Sequence, residues 1–525
     1  MPNYLSPGVY VEEVEAGSRP IEGVGTSVAA FVGLAQKGPM HEPTLVSNWT
    51  QFAETFGDFM PGAYLAHAVY GYMQNGGSNC FVVRVGGGST NGHHPEAIGS
   101  KPAGKAEVPP VVDAPRALLG GFTVTAANAK ATKPISVEVS DGKGDDLPAD
   151  VFTLAVVVDG KPVETYENVS TKEGDAYVVT KVAQSKHIRI EATAPDAPLV
   201  RIDRGAVELA SPEPEPAGPD ATEMGAGDYV GDVAQRTGFS GLEAVDEVTM
   251  VAVPDLVAAL EQGSIDLETF KAVQLGIISH CELMGDRVAI LDPPPGLNPQ
   301  QILNWRVNEA GYDSKFATLY WPYVKVFDPA TGTNIHVPPS GHTAGIWARN
   351  DDTRGVHKAP ANEVVRGAIS LQTQITKAEH DLLNPVGINC IRSFPGRGLR
   401  VWGARTLSSD PAWRYLNVRR LFNYLEESIL IGTQWVVFEP NDPQLWARVR
   451  RTISAFLVNE WRKGALFGFT PDEAYFVKCD SETNPAEGID AGQVVCQVGV
   501  APVKPAEFVI FQLSQFSGGV SLVSE

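Results

Sequence analysis

The sequence predicts an α/β (α+β) multidomain protein, on three observations. Two strand–helix–strand runs, at residues 26–85 and 247–321, have the spacing of βαβ units. A stretch of short β patterns between two Pro-rich linkers interrupts them. Beyond residue 361 come long amphipathic helices in a basic setting, with a candidate strand near each end of the chain.

Residues 1–22 read as an N-terminal arm. Ser6-Pro7-Gly8 makes a turn, residues 9–14 alternate weakly as a strand that carries Glu12 and Glu13, and Pro20 breaks the pattern. Such a strand either adds to a neighbour's sheet edge or folds back on its own domain. Residues 26–34 (TSVAAFVGL) form a buried strand, 64–75 a helix stopped by Gly76-Gly77, and 80–85 a second strand. The linker at 86–116 follows. Short β runs then fill 117–209, AYVVTKV (176–182) among them, and Asp159-Gly160 splits one run as a hairpin turn does. With the acidic linker SPEPEPAGPDATEMGA this makes an inserted small β-sandwich or barrel domain at 93–230.

The α/β pattern resumes with a strand at 247–253, a helix at 267–284 and a strand at 287–291, stopped by Asp292-Pro293-Pro294-Pro295. A helix at 299–308 and a strand at 317–321 complete an α/β core domain of residues 23–85 and 235–345, its crossovers right-handed. A C-terminal domain follows at 350–504, with a helix at 363–373. Two further helices are announced by Asp410-Pro411 and Asp442-Pro443, because Asp accepts the first free backbone amides and Pro lacks the amide not needed there. The first, 411–431, puts Leu421, Phe422, Leu425 and Ile429 on one face. The second carries Leu445, Val449, Ile453, Phe456, Leu457 and Trp461 and is capped by Gly464. Strands at 493–500 and 507–516 follow, the latter in a C-terminal arm at 505–525.

Charge is unevenly spread. Residues 384–464 hold twelve Lys and Arg against six Asp and Glu, a net of +6 in a chain of net −21. In the first long helix Arg414, Arg419 and Arg420 stand near the N-terminus and Glu426 and Glu427 nearer the C-terminus, against the macrodipole. These arginines either answer to a partner or belong to a solvated face.

Several function classes are excluded at this level. A net charge of −21 argues against nucleic acid and anionic membranes as partners. No apolar run reaches the roughly 20 residues of a membrane span, and the start lacks a signal-peptide pattern. Five scattered cysteines without a CxxC pair fit free thiols in a reducing compartment. A soluble protein made in the cytoplasm is expected. Gly86-Gly87-Gly88-Ser89-Thr90 lacks the Lys of a P-loop, and His93-His94 has no acidic or Cys partner at metal-ligand spacing. Ser340-Gly341-His342 lacks a nucleophile elbow, and Cys390 reads as a small buried residue in an apolar strand. No catalytic residue, cofactor or metal is nominated; a hydrolase using Ser340 and His342, or Cys390, stays as a reading to test.

Four motifs carry more information: PPSGHTAGIWARND (338–351), RGVHKAPANE (354–363), INCIRSFPGRGLRVWGARTL (388–407) and WRYLNVRRLFNYLEESI (413–429). In this order, with the opening YLSPGVYVEEVEAGSRPIEGVGTSVAAFVG, they resemble the contractile tail sheath proteins of bacteriophages and phage-tail-like injection systems. The resemblance implies a structural, non-enzymatic subunit. Its copies stack as six-membered rings around a rigid inner tube, and contraction drives the tube through a target membrane. It also implies an α/β sheath core domain, an outward-facing insertion and an inward C-terminal domain with exchangeable terminal strands. Here those strands would be Val9, Tyr10, Val11 and Val14 at one end, and Phe508, Ile510, Phe511 and Leu513 at the other. The basic island then becomes a tube- or neighbour-facing surface, with Arg414, Arg419, Arg420, Arg448 and Arg451 as candidates. The implied partners are further copies of the chain, the inner tube protein, and baseplate and tail-terminator or cap proteins, without nucleic acid or membrane insertion. The implied setting is the bacterial cytoplasm and a phage tail or tail-like particle, released or retained. The alternative is a surface-binding adhesin that uses the inserted β-domain.

Overall fold

Short runs of β-branched and small apolar residues buried on both faces favour a parallel sheet with helices on either side. The computed structural model describes residues 20–86 and 225–511 throughout, and between them 116–119, 122–126, 135–142, 151–158, 161–172, 174, 176–192 and 205–209. The chain forms two compact units, residues 1–89 with 219–525, and residues 90–218.

The first unit is built on a nine-stranded sheet. Its strands are β1 (Ala29–Gly33), β2 (Thr44–Val46), β3 (Cys80–Arg84), β4 (Met250–Ala252), β5 (Val288–Leu291), β6 (Ala317–Trp321), β7 (Glu363–Val364), β8 (Ile388–Phe394) and β9 (Gly398–Val401). The order across the sheet is β7-β9-β8-β6-β5-β4-β1-β3-β2. The inner strands from β8 to β3 run parallel, and β2, β9 and β7 add antiparallel edges. Helices α1 (Leu65–Asn75), α2 (Leu267–Met284) and α3 (Ser340–Arg354) pack on this sheet. Both predicted βαβ units are present. α1 ends at Gly76, whose φ of +116° admits glycine readily.

The chain leaves β1 for β3 on one side and returns through β4 on the other. This order reversal is where doubly wound folds bind ligands, beyond the carboxyl ends of the strands. Here the crevice is filled from within. Asp255, just after β4, accepts backbone N–H bonds from Leu34 (2.6 Å), Leu65 (3.2 Å) and Tyr64 at the start of α1. Burial pushes its pKa up to about 6, against those three donors. Gly33 must be glycine, because a Cβ there would collide with the Asp255 carboxyl. The anion that a helix N-terminus attracts is thus supplied by the chain itself. Asp292, just after β5, does the same for α3, accepting from Ser340 N at 3.0 Å.

Four expectations change. The segment read as a helix at 363–373 instead forms β7 and the short strand Ser370–Leu371, split by Gly367 at φ +80°. Asn75 holds it open, bonding Arg366 O at 3.0 Å and Arg366 N at 2.8 Å. The core extends past residue 345: β8 pairs in parallel with β6, Leu319 opposite Ile388, so residues up to β9 belong to the main sheet. The helix expected from Asp410-Pro411 begins only at Leu416, because Asp410 spends its carboxylate on a turn, accepting from Ala412 N at 2.8 Å. AYVVTKV contains a helix, Val178–Val182, where a strand was expected.

The unit of residues 90–218 has two antiparallel sheets. One orders Gly205–Glu208, Ile135–Asp141, Val151–Val158 and Lys161–Ser170; the other orders Arg116–Leu119, Phe122–Ala126 and Ile188–Ala192. Val137, Leu154 and Val156 from the first meet Val124 and Ile190 from the second in one buried cluster, which makes this a β-sandwich. Val158 opposes Lys161, so the two strands pair in the register of the expected hairpin, while Asp159-Gly160 lies outside the described residues.

The Asp292 site predicts a pH effect. Burial raises its pKa from 3.8 to about 7. The folded state therefore holds a proton that the unfolded chain releases, and this contribution to stability is lost as pH rises from about 4 to 7. Asp292→Asn keeps the acceptor and removes the charge. Its melting temperature relative to wild type should climb between pH 4.5 and pH 8, by the equivalent of ~4 kcal/mol at full ionisation. Parallel melting curves at both pH values would refute a buried, unpaired carboxyl.

Candidate functional site

Two helices organise the C-terminal part of the first unit: α4 (Leu416–Gly432) and α5 (Pro443–Arg462). α5 starts as predicted, with Asp442 accepting from Leu445 N at 2.7 Å and Pro443 in its first turn, and Gly464 follows its last turn at φ +84°. Leu421 and Leu425 of α4 meet Leu445, Val449, Ile453 and Leu457 of α5 in one buried cluster.

The arginines at the start of α4 point inward, which corrects their assignment as tube- or neighbour-facing residues. Arg420 is 3% exposed and pairs with Asp351, 4% exposed, at the end of α3. Its Nη1 lies 2.9 Å from Asp351 Oδ1, its Nη2 donates to Thr26 O at 2.9 Å, and Thr26 Oγ1 donates to the same carboxylate at 2.7 Å. The guanidinium also lies 4.8 Å from the Trp347 ring centre. Arg419, also buried, donates to Asn423 Oδ1 at 2.6 Å and reaches Glu426 at 3.3 Å between the rings of Phe316 and Trp413. A charge order unfavourable to the helix dipole is thus balanced within the chain.

One face of α4 receives the incoming N-terminal segment. Arg420, Tyr424, Ser428 and Gly432 are spaced by four and form a stripe. Thr26 lies on Arg420, Gly23 against the Tyr424 hydroxyl, Val24 N on Ser428 Oγ (3.1 Å), and Ile21 against Gly432. A Cβ at Gly432 would come within 2.6 Å of Ile21. Pro20, the first described residue, therefore lies near the C-terminal end of α4. The strand residues Val9, Tyr10, Val11 and Val14 lie outside the described residues.

Among the other basic candidates, Arg448 bonds Glu439 at 2.8 Å and lies 5.2 Å from the Trp435 ring centre. Arg414 is half-buried. Arg451 is exposed, its Nε bonded to Ala447 O of its own helix at 3.2 Å.

The C-terminal segment leaves from the opposite end of α4. Strands β10 (Tyr475–Lys478) and β11 (Gln497–Val500) form a two-stranded antiparallel ribbon against α5, with Tyr475 OH donating to Ser454 O at 3.2 Å. After β11, Asn417 in the first turn of α4 donates to Val503 O at 3.1 Å. Glu507 then docks on Arg405 through two bonds, one of 2.9 Å from Nε. Arg405 is itself held by Asn389, which accepts from its N–H at 2.7 Å and donates to its carbonyl at 2.8 Å. The docked segment lines a groove of about 950 Å³ with Phe394, Trp402, Arg392 and Lys377. Phe508 and Val509, which also line the groove, are 73% and 68% exposed, and Ile510 and Phe511 after them 81% and 84%. The expected strand here has no ladder partner among the described residues, and Leu513 lies outside them.

The enzyme readings gain nothing from the geometry. Ser340 and His342 are buried inside α3, and burial pushes the Cys390 thiol up to about 12. His93-His94 lies outside the described residues.

Residues 224–407 match the phage tail sheath protein central domain and residues 408–516 the phage tail sheath C-terminal domain, together more than half of the chain without a break. The chain belongs to the phage tail sheath family. The boundary between the two matches falls after β9, where the main sheet ends. Over 97% of its length the chain is 24% identical to the tail sheath protein of Burkholderia phage BcepMu, covering 96% of that protein. Its fold is similar to the helical sheath of the anti-feeding prophage in the contracted state, at 24% identity and a TM-score of 0.57 over 97% of this chain and 99% of that one. It is likewise similar to the sheath of the extracellular contractile injection system PVC in the contracted state, at 23% identity and a TM-score of 0.57 over 98% and 99%. The protein is a structural subunit of a contractile tail sheath, a component of a phage tail or tail-like particle. Nothing in these comparisons supports the adhesin alternative.

In this sheath subunit the Arg420 site should dominate local stability. Arg420→Ala leaves Asp351 charged, buried and unpaired, and should cost about 3–5 kcal/mol in equilibrium denaturation. Arg420→Met combined with Asp351→Leu removes both charges and should recover most of that loss. A single variant within 1 kcal/mol of wild type would show that the pair does not hold α4 to the core.

Proposed function

We propose that this sheath subunit polymerises by donating its terminal arms to neighbouring copies, each arm adding a strand to a neighbour's β10–β11 ribbon. One observation carries the reading: the chain holds both a donor and an acceptor. The donor is the run Phe508–Ile510–Phe511, exposed and anchored just before it by the Glu507–Arg405 pair. The acceptor is a ribbon of only two strands, whose outer backbone groups have no ladder partner among the described residues. Unpaired edges and exposed apolar segments favour strand addition, which satisfies the backbone and buries the side chains together. Val9, Tyr10, Val11 and Val14 take the same role at the N-terminal arm, whose stem leaves from the other end of α4.

The subunits stack as six-membered rings around an inner tube protein, between baseplate and terminator or cap proteins, and are made in the bacterial cytoplasm. Sheath shortening drives the tube through a target membrane, and the arms keep neighbours connected while the rings move. Arg451 is the strongest remaining candidate for a tube- or neighbour-facing cation, with Arg414 and Arg448 behind it. The role needs no catalysis: energy is stored in the assembled lattice, and the α/β crevice is closed by Asp255.

Electron microscopy of purified protein tests this. Full-length chain should form hollow cylinders. Deletion of residues 1–20 or 505–525, or the double change Phe508→Asp with Ile510→Asp, should leave a folded monomer and no cylinders. Deletion of residues 90–218, which spares the buried Tyr229 of the first unit, should leave cylinders intact. Polymerisation by both arm deletions would rule out strand donation.

A further inference from the structure

Two of the five cysteines face each other at the mouth of the ribbon. β10 and β11 pair as far as Lys478 opposite Gln497, and the same register continued by one residue brings Cys479 opposite Cys496. Opposed residues on antiparallel strands have Cα atoms about 4.5–5.5 Å apart, within the span of a disulfide. The same spot is clamped by Asn484, which donates to Val495 O at 3.0 Å, accepts from Val495 N at 2.6 Å, and lies 3.9 Å from Cys479 Sγ. The two thiols act directly on one another. Burial and then the neighbouring sulfur push Cys496 up to about 12, while burial raises Cys479 and its contact with Cys496 opposes the rise. Arg450 places a cation beside them, its Nη1 3.3 Å from Cys479 O. Cys479 is buried and Cys496 half-buried, so a reagent reaches Cys496 first. Cys80, Cys281 and Cys390 are buried in the sheet core, without such a partner among the described residues.

We propose that Cys479 and Cys496 form a reversible disulfide that staples the ribbon when the protein meets a small-molecule disulfide, and remain thiols in a reducing environment. The Cys496 thiolate attacks one sulfur of the reagent, forming a mixed disulfide and expelling one thiolate. Cys479 then gives up its proton to solvent and attacks Cys496 Sγ, expelling the second thiolate. The protein loses two electrons and two protons, and the reagent becomes two thiols. Because thiolate is the nucleophile, the rate rises with pH. The staple closes the loop between the strands, so the ribbon holds its register more tightly. The cross-link depends on this register alone and stands whether or not neighbouring arms add to the ribbon.

The test is to incubate the full chain with oxidised glutathione at pH 8, denature it, alkylate free thiols and measure the intact mass. Wild type should carry two fewer alkyl groups than the five of the reduced chain and no glutathione. Cys479→Ala and Cys496→Ala should form no internal disulfide. Backbone amide exchange at residues 475–478 and 497–500 should slow on oxidation and recover on reduction. Five alkylated cysteines after oxidation, a lasting glutathione adduct on wild type, or ribbon exchange unchanged by the disulfide would each overturn the proposal.

Discussion

The buried ion pair between Arg420 and Asp351 is the constraint around which the assembly features are arranged. Removing both charges from water is costly, and the cost is offset only when every donor and acceptor finds a partner. Here Thr26 supplies both the remaining acceptor and a donor, and Trp347 covers the cation. Three separate parts of the chain must therefore meet: the segment entering β1, the end of α3 and the start of α4. Once they do, α4 sets the exits of both arms. The N-terminal stem runs down the stripe from Arg420 to Gly432, and Asn417 pins the C-terminal segment at the other end. With 17 residues in α4, the two exits lie about 25 Å apart.

The α/β core serves as a scaffold. Its topology has the crevice in which related architectures bind phosphates, yet Asp255 occupies the helix N-terminus there and Asp292 occupies the next. Both carboxyls are buried and pushed upward in pKa. Internal plugs of this kind join strands to helices at the carboxyl edge of the sheet.

Much of this was legible in the sequence where one local signal decided the outcome. The strand at β6, the helix α2 and the cap at Asp442 needed only apolar runs, length and an N-cap residue. The α3 helix was not legible, because it is buried on nearly every side and packs through Gly341 and Gly345 against the backbone of α1, so it shows no amphipathic stripe. Arg419 finds its partners, Asn423 and Glu426, on its own helix, but those of Arg420, Asp351 and Thr26, lie 69 and 394 residues away. No pattern within a window points to them. The Glu507–Arg405 pair was hidden for the same reason, at a separation of 102 residues. Cys479 and Cys496 read as scattered because their opposition depends on the register of a ribbon joined by a long loop.

The proposed polymerisation treats the two-stranded ribbon as an incomplete sheet, finished by other subunits. A helical reconstruction of the assembled cylinder by electron cryomicroscopy addresses it most directly. In the cylinder β10 and β11 should lie within a larger sheet, hydrogen-bonded to a strand from residues 507–516 of a neighbouring copy. A cylinder in which the ribbon keeps two strands, and in which residues 508–511 pack on their own subunit, would contradict it.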